Sequence, residues 1–274
     1  MFKWYGLLGA ILVILVEVNF FLKIQPYANW YFPIIWFGYI LVVDALIYRI
    51  KGRSLISNNF KMFLGMFIIS ALFWWVFEFV NLGVSNWDYI GTDGLGSAIN
   101  MFGTLSFATV LPALFETSEL VMAIGLFNKT KLKKRHKISK GFLHSMIVLG
   151  ILCFFAPLLL PKFAFPLVWL SFFLVLDAIN YMNGQPSIIG HLRDKKLKVP
   201  LSLLLAGIIL GFLWEFWNYY AIPKWTYDIP FVGFFKIFEM PVLGYLGYFP
   251  FAFELYSMYW FVRFLFLGKE KSLV

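Results

Sequence analysis

Hydrophobic residues fill long, nearly uninterrupted stretches of this chain, and short clusters of charged or turn-forming residues separate them. Each stretch has roughly 20 residues, the length that an α-helix needs to cross the hydrocarbon core of a bilayer. We therefore predict eight membrane-spanning helices, or seven if one of them fails to cross. Their ranges are 5–24, 31–49, 62–82, 98–127, 141–160, 163–182, 199–222 and 237–267.

Composition assigns the chain to the membrane class. Hydrophobic residues make up 61% of the 274 positions and charged residues only 14%, and the mean hydropathy is +0.80. These values lie far outside the range of soluble globular domains. We predict an all-α, polytopic helix bundle without a sizeable soluble domain, so that function lies within the bilayer or at its faces.

Basic residues are concentrated in alternate loops. With eight spans, 19 of the 23 Lys and Arg residues fall on one side of the membrane, and only Lys23, Lys162, Lys224 and Lys236 fall on the other. The positive-inside rule then places both termini in the cytoplasm. Because the basic charges follow this topological pattern, we predict no nucleic-acid partner.

The chain contains an internal repeat. FPIIWFGYILVVDALIY (32–48) reappears as FPLVWLSFFLVLDAINY (165–181), FEFVNLGVSNWDYI (77–90) as WEFWNYYAIPKWTYDI (214–229), and LPALFE (111–116) as FPFAFE (249–254). Each half holds four predicted spans, an even number, so the two copies enter the membrane in the same direction and form a parallel repeat. We predict repeat 1 at residues 1–128, a basic cytoplasmic linker at 129–140 and repeat 2 at 141–274.

Acidic residues are unusually frequent inside the predicted spans. Nine of the fourteen lie there, and no Lys or Arg lies in a span interior to neutralise them. An ionisable group in hydrocarbon costs about 3 kcal/mol by insertion scales, and it usually faces the bundle interior or a wet cavity. A functional cavity therefore explains these residues better than a lipid-facing surface. They are Glu17, Asp44, Glu78, Glu116, Glu119, Asp177, Glu215, Glu239 and Glu254.

The repeat selects the site candidates among these residues. Glu and Asn at i and i+3 share a helix face in both copies and precede a W-x-Y motif. The candidate catalytic residues are Glu254, Glu215, Glu239, Glu116 and Glu78, and the candidate substrate-binding residues are Asn218, Asn81, Trp225, Tyr227, Trp87, Tyr89 and Trp214. Anchoring at the membrane interface is the alternative role of the aromatic residues. If only one copy is active, we favour the second.

Other features qualify this selection. The returning helices carry interruptions such as Pro112, Pro241 and Pro250, which membranes tolerate only where freed backbone groups find protein or water. Simple kinking or close helix packing is the alternative explanation. For Asp44 and Asp177, near the cytoplasmic ends of their helices, we expect ion pairs with Arg49, Arg53 and Arg193.

Cofactor motifs are missing from the sequence. His136, His144 and His191 have no metal-ligand spacing. A phosphate-binding glycine loop, a Rossmann fingerprint and a nucleophile elbow are missing as well. We predict a protein without a metal site and without a nucleotide or flavin cofactor.

The order of motifs resembles a known family. The chain is similar in this respect to the membrane-integral lycopene cyclase domains of carotenoid biosynthesis. The shared order is an acidic or amide helix end, then W-x-Y, then a proline and a glutamate on the next helix. The matching residues are Glu215, Asn218, Trp225, Tyr227, Pro250 and Glu254, with Glu78, Asn81, Trp87, Tyr89, Pro112 and Glu116 in the first copy. The resemblance implies a related duplicated fold, cyclase or isomerase chemistry without a flavin, and a polyisoprenoid lipid as partner.

Three functions fit the pattern. The first is a cofactor-independent enzyme of isoprenoid-type lipids, in which one carboxyl (Glu254 or Glu215) protonates an alkene, aromatic faces stabilise the cation and a second carboxylate (Glu116 or Glu78) removes a proton. The second is a proton- or cation-coupled transporter or channel that uses the same carboxylates. The third is a non-catalytic membrane subunit that holds a lipid or quinone.

Overall fold

Helices account for most of the computed structural model, which describes residues 1–135 and 137–268. His136, Lys269 and Lys271, which entered the predictions above, lie outside the described residues. The helices of the first half are α1 (Trp4–Leu22), α2 (Tyr31–Lys51), α3 (Leu55–Asn58), α4 (Phe60–Val84), α5 (Ala98–Ala108) and α6 (Val110–Ile124). Those of the second half are α7 (Lys140–Leu159), α8 (Pro161–Ala164), α9 (Val168–Met182), α10 (Ile188–Arg193), α11 (Lys198–Tyr220) and α12 (Tyr248–Leu267).

Seven helical segments are long and apolar enough to cross a membrane, so the chain is a multi-pass membrane protein. The all-α prediction is confirmed. In this count α5 and α6 form one segment (Ala98–Ile124), and α8 and α9 form another (Pro161–Met182). α12 has 20 residues but is not among the seven segments, and its sequence includes Glu254 and Arg263.

The predicted helix 237–267 was wrong over its first part. A two-stranded hairpin, β3 (Lys236–Ile237) and β4 (Met240–Pro241), and a 3-10 segment, Val242–Gly247, precede α12. Pro241 removes a backbone donor and Gly244 and Gly247 favour turns, so a helix cannot run through this stretch.

The interruption between α5 and α6 is satisfied by protein. The Ser70 hydroxyl donates to the Phe107 carbonyl at 2.5 Å and accepts from the Leu111 amide at 2.9 Å. These bonds replace backbone partners that the continuous helix would have supplied. The α5 and α6 segment is therefore interrupted at Thr109 without leaving these two groups unpaired.

Two short helices are held by buried aspartates. Asp177 accepts from the Ile188 and Ile189 amides at 2.7 and 2.9 Å, at the start of α10. Asp44 accepts from the Ile56 amide of α3 at 2.9 Å and from the Tyr5 hydroxyl at 2.5 Å. The expected ion pairs with Arg49, Arg53 and Arg193 do not form at either aspartate among the described residues. The reason is geometric: free amides at the start of the next helix lie directly opposite the carboxylates.

A small ribbon joins the two halves. β1 (Trp87–Ile90) and β2 (Lys224–Tyr227) pair antiparallel, with Trp87 opposite Tyr227 and Tyr89 opposite Trp225. In the repeat, Trp87 corresponds to Trp225 and Tyr89 to Tyr227. Exchanging the two halves therefore leaves the pairing unchanged, so the register has two-fold symmetry about its centre. We call this end of the bundle the strand end.

The other end of the bundle, the basic end, collects the loops around residues 49–61, 129–135 and 193–198. The core between the two ends is formed by α2, α4, α6, α11 and α12, with Trp36, Phe77 and Tyr259 fully buried. α1 and α7 lie at the periphery, where side chains such as Ile14 and Leu152 are exposed. Such apolar surfaces are expected of helices that face lipid.

Candidate functional site

A cavity of about 340 Å³ lies at the strand end, between the two halves. Its wall is largely aromatic and comes from α2, α4, α5, α6, α9, α11, α12 and both strands of the ribbon. Its volume is in the range of small-molecule sites. Five tryptophans line it: Trp74, Trp87, Trp169, Trp214 and Trp225. Three tyrosines do so as well: Tyr89, Tyr227 and Tyr248.

Phe251 forms the inner wall of this cavity. Its ring centroid lies 5.3 Å from that of Trp169, 5.9 Å from that of Trp214 and 6.0 Å from that of Trp74, each in an edge-to-face arrangement. Such packing fixes the rings in place. The cavity is therefore preformed by residues of both halves.

Glu215 lies behind the cavity wall and is fully buried. Its Oε1 accepts hydrogen bonds from the hydroxyls of Tyr227 and Tyr248, both at 2.7 Å, and both tyrosines line the cavity. Trp225 Nε1 donates to the Tyr227 hydroxyl oxygen at 2.7 Å. Burial raises the pKa of Tyr227 well above its ordinary value, so the phenol keeps its proton near neutral pH. Glu215 Oε2 is buried without a hydrogen-bond partner.

Glu78 occupies the corresponding position in the first half. Its Oε1 accepts from the Tyr89 hydroxyl at 2.6 Å and from the indoles of Trp74 and Trp87 at 3.0 and 3.1 Å. Glu78 is partly exposed, whereas Glu215 is not. The two halves thus place a carboxylate behind cavity-lining rings on each side, with the second more shielded from solvent.

The two carboxylates differ in their third partner. Gly211 in the second half corresponds to Trp74 in the first, and the Tyr248 ring occupies the freed space. A Cβ atom at Gly211 would lie 2.4 Å from that ring. The missing side chain therefore brings the Tyr248 phenol to Glu215, where the first half uses an indole instead.

Asn81 and Asn218 bind the protein backbone. The Asn218 amide group donates to the Trp225 carbonyl at 2.8 Å and accepts from the Trp225 amide at 2.9 Å. Asn81 makes the same bond to the Trp87 carbonyl at 2.8 Å and accepts from the Asn86 amide at 2.9 Å. Both predicted substrate-binding asparagines lie outside the cavity lining, and they fix the strands that carry the W-x-Y rings.

Glu254 and Glu116 lie away from this cavity. Glu254 is fully buried, its Oε1 accepts from the Phe172 amide at 3.0 Å, and its Oε2 has no partner. Glu116 is buried as well and lines a second cavity, at the basic end. The four paired glutamates therefore do not converge on one site.

Glu239 lies between β3 and β4 and not inside a span, so its predicted location was wrong. It forms an ion pair of 2.6 Å with Lys224, which lines the cavity at the start of β2. The prediction failed because the apolar residues around Glu239 continue the hydrophobic run of α12 in the sequence, so the run was assigned to one helix. In the structure Glu239 belongs to the turn of the β3–β4 hairpin, and its charge is paired with Lys224 on strand β2.

Several lining residues were missed by the sequence analysis: Trp74, Trp169, Tyr248 and Phe251. Trp169 and Phe251 lie inside the repeated segments and could have been found there. Tyr248 corresponds to Val110 in the first half, so the repeat hid its role. The change from Trp74 to Gly211 was the signal that something else fills this space.

Among the residues that the structure describes, no three His, Cys, Asp or Glu side chains are grouped to hold a metal ion. Comparison with protein-family models, with curated proteins and with solved structures found no match to this chain. The assignment that stands at this point is therefore a multi-pass membrane protein with an aromatic cavity between its two halves.

Proposed function

We propose that this protein binds the unsaturated part of a polyisoprenoid-type lipid in the strand-end cavity and isomerises or cyclises it without a cofactor. The observation that carries the proposal is the aromatic cavity wall backed by a shielded carboxyl–phenol group, Glu215 with Tyr227 and Tyr248. Aromatic faces solvate apolar chains and stabilise carbocations. The resemblance to membrane-integral lycopene cyclase domains makes carotenoid-type isoprenoids the first substrates to test.

The proposed chemistry is proton transfer in a dry site. For the reaction the hydrogen bond seen in the structure is reversed: the Glu215 carboxyl donates to the phenol oxygen of Tyr227 or Tyr248. The phenol then transfers its own proton to one carbon of an alkene, and the π electrons of that alkene form the new C–H bond. The resulting cation then loses a proton from a neighbouring carbon to a carboxylate, which we assign to Glu78. Its hydrogen-bond partner Tyr89 lines the cavity on the side of the first half. Substrate and product then have the same formula, so no oxidant or reductant is required.

The second half is the proposed proton donor. Glu215 is fully buried, whereas Glu78 is partly exposed. The phenols of Tyr227 and Tyr248 connect this shielded carboxyl to the cavity. In this proposal Glu254 and Glu116 do not act on the substrate directly.

We also propose that α12 is an eighth span and that the halves 1–128 and 141–274 form a parallel repeat. α12 extends from Tyr248 at the strand-end cavity to Trp260 at the basic-end cavity, so it covers the length between the two ends. Its polar residues are compatible with this position because ten of its residues are buried against protein. With an even number of spans, the positive-inside rule supports a cytoplasmic location for both termini.

The test is solvent-proton exchange. The purified protein is incubated in D₂O with lycopene, or with any apolar compound found to copurify with the protein, and products are analysed by mass spectrometry. We expect a product isomeric with its substrate that contains one deuterium, and at least a 100-fold slower conversion by Glu215→Gln, because Gln keeps the hydrogen bonds and loses the acid.

The matched control is Asp93→Asn, which removes an acid from an exposed loop at the same end. We expect wild-type conversion from this control. A folded Glu215→Gln protein that converts the lipid at the wild-type rate would refute the catalytic role. A bound lipid that never exchanges deuterium would indicate the non-catalytic lipid-binding function instead.

Coupled transport is the second candidate, and one observation favours it. The two cavities lie at opposite ends of the bundle, and buried Glu254 lies between them along α12. A protonatable group between two chambers is typical of proton-coupled carriers. Vesicles containing the protein would then take up protons in response to a pH gradient, and Glu254→Gln would abolish that flux. Absence of flux in the wild type excludes this candidate.

A further inference from the structure

A second cavity, of about 530 Å³, opens at the basic end. Its polar wall comes from the end of α2, the start of α3, α6, the loop before α10, α10 itself and the segment before α11. It lies at the other end of α12 from the aromatic cavity, and it takes no part in the proposed reaction. Its polar lining includes Lys51, Arg53, Glu116, Gln185, Arg193 and Lys196.

The charges around this cavity leave two cations unpaired. Lys51 contacts Glu119, and Arg193 Nε lies 2.8 Å from Asp194 Oδ1, which also pairs with Arg135, so Lys51 and Arg193 each have an acidic partner. The Arg193 hydrogen bond also lowers the pKa of Asp194 to about 2. Arg53 and Lys196 are exposed at the cavity and have no ion pair among the described residues. Together they form a cationic mouth.

His191 does not add a third charge at neutral pH. Burial lowers its pKa to about 4, and its Nε2 lies 3.0 Å from the Tyr256 hydroxyl. Among charged groups, Lys196 lowers the pKa of His191 further, and Asp194 raises it. His191 therefore contributes a neutral hydrogen-bonding surface.

Gln185 gives an independent sign of a ligand. Its side chain is only 5% exposed, lines the cavity, and neither its amide nitrogen nor its amide oxygen has a hydrogen-bond partner in the structure. Glu116 Oε1, on the inner wall, is also without a partner. Buried polar groups are nearly always satisfied, so a bound molecule with hydroxyl groups, which both donate and accept, is expected to supply these bonds.

Part of the wall is apolar. Phe115, Leu203 and Trp260 line the same cavity as Arg53 and Lys196. A ligand that fits both surfaces has an anionic group at the mouth, hydrogen-bonding groups further in and an apolar part. This is the chemistry of an amphiphile with a phosphorylated polar headgroup.

We propose that this cavity is a binding site for a glycerophosphate-type group. The phosphate lies between Arg53 and Lys196, and the hydroxyls of the glycerol part bond to Gln185 and Glu116. The group is supplied by an anionic lipid or by a free phosphorylated polyol, which share this chemistry. The proposal is independent of the reaction at the strand end.

The test is titration calorimetry of the full-length protein in a neutral detergent with short-chain phosphatidylglycerol, and with short-chain phosphatidylcholine for comparison. We expect tighter binding of phosphatidylglycerol, and about 25-fold weaker binding after the double substitution Arg53→Gln and Lys196→Gln, roughly five-fold for each cation. The double substitution Lys133→Gln and Lys134→Gln, which removes two exposed charges from the neighbouring linker, is the matched control and is expected to bind as the wild type does.

Gln185→Leu separates a binding role from a structural one. We expect it to weaken phosphatidylglycerol binding about ten-fold while the unfolding midpoint of the ligand-free protein stays unchanged or rises, because an unsatisfied buried amide is removed. Competition by glycerol 1-phosphate at equal concentration would assign the site to a free compound, and failure to compete would assign it to a bilayer lipid. Equal binding of both lipids, unaffected by the Arg53 and Lys196 substitutions, would overturn the proposal.

Discussion

At the scale of single residues, the two carboxylate sites differ in which side chain fills the space beside the glutamate. Trp74 fills its space in the first half, whereas Gly211 leaves that space to Tyr248 in the second. The same backbone thus supports two hydrogen-bond arrangements around Glu78 and Glu215. We infer that the two halves have kept the carboxylate and diverged in the side chains that bond to it.

Gly211→Ala tests this exchange. A Cβ atom would lie 2.4 Å from the Tyr248 ring, so we expect the ring to be displaced and the protein to lose about 1–3 kcal/mol of unfolding free energy. The measurement is unfolding by SDS in mixed micelles, followed by circular dichroism. Addition of Tyr248→Val is expected to remove most of the extra cost, because the residues are in contact.

Gly65→Ala is the matched control for this substitution. Gly65 also lies inside a helix, but no atom is within 4 Å of its would-be Cβ. We expect a change near zero or a small stabilisation, since alanine favours helix. Equal effects of the two substitutions would contradict the packing explanation.

At the scale of elements, the short helices α3 and α10 depend on carboxylates from the preceding long helices. Asp44 and Asp177 are fully buried and each accepts from amides at the start of the following short helix. Ser54 and Ser187 add N-cap hydrogen bonds at these starts. Each loop at the basic end is thereby fixed to the bundle, and α10 supplies part of the cavity proposed to bind phosphate.

Asp177→Asn is expected to lower the unfolding free energy by about 1–3 kcal/mol, because an amide NH₂ would replace one acceptor opposite two backbone donors. The same SDS titration measures it. Asp88→Asn, on an exposed ribbon position, is the matched control and is expected to change little. A neutral result for Asp177→Asn would show that α10 is held by its other contacts.

At the scale of the whole molecule, charge separates the two ends of the bundle. The basic linker lies at one end. Its backbone at Lys131 pairs antiparallel with the backbone at Lys196, and the Arg135 side chain lies 3.1 Å from Asp194 Oδ1. Its lysine side chains remain exposed. The strand end has fewer basic groups, among them exposed Lys236 in the β3 and β4 hairpin.

Trypsin accessibility tests the proposed orientation. We expect cleavage within 129–140 in inside-out vesicles and not in right-side-out vesicles, because the positive-inside rule places this linker in the cytoplasm. In right-side-out vesicles, cleavage near Lys236 is expected instead. Fragments are identified by mass spectrometry. Linker cleavage from the outside would reverse the proposed topology.

Much of the fold could be predicted from the sequence, because bilayer thickness imposes one helix length and the repeat marks corresponding positions. α4 and α11 begin and end close to the predicted ranges. The strands β1 and β2 have four residues each, too few for a periodic signal. Their W-x-Y motifs were recognised, but their pairing across the two halves was not.

The site was harder to predict than the fold. The repeat brought out Glu78, Glu215 and the ribbon aromatics, since corresponding residues stood out in two copies. It could not show that Glu116 and Glu254 lie away from the strand-end cavity, because depth along a helix does not specify which face a side chain occupies. Tyr248 has no corresponding residue of the same type, so comparison of the halves could not reveal it.

The ribbon also bears on how such a chain could have arisen. Its strands pair Trp87 with Tyr227 and Tyr89 with Trp225, so each strand meets its own counterpart in the register that a symmetric dimer would use. Contacts of this kind are self-complementary. A single-copy ancestor carrying this strand could have closed the aromatic cavity by associating with a second molecule, and fusion of two genes would then have freed each copy to specialise.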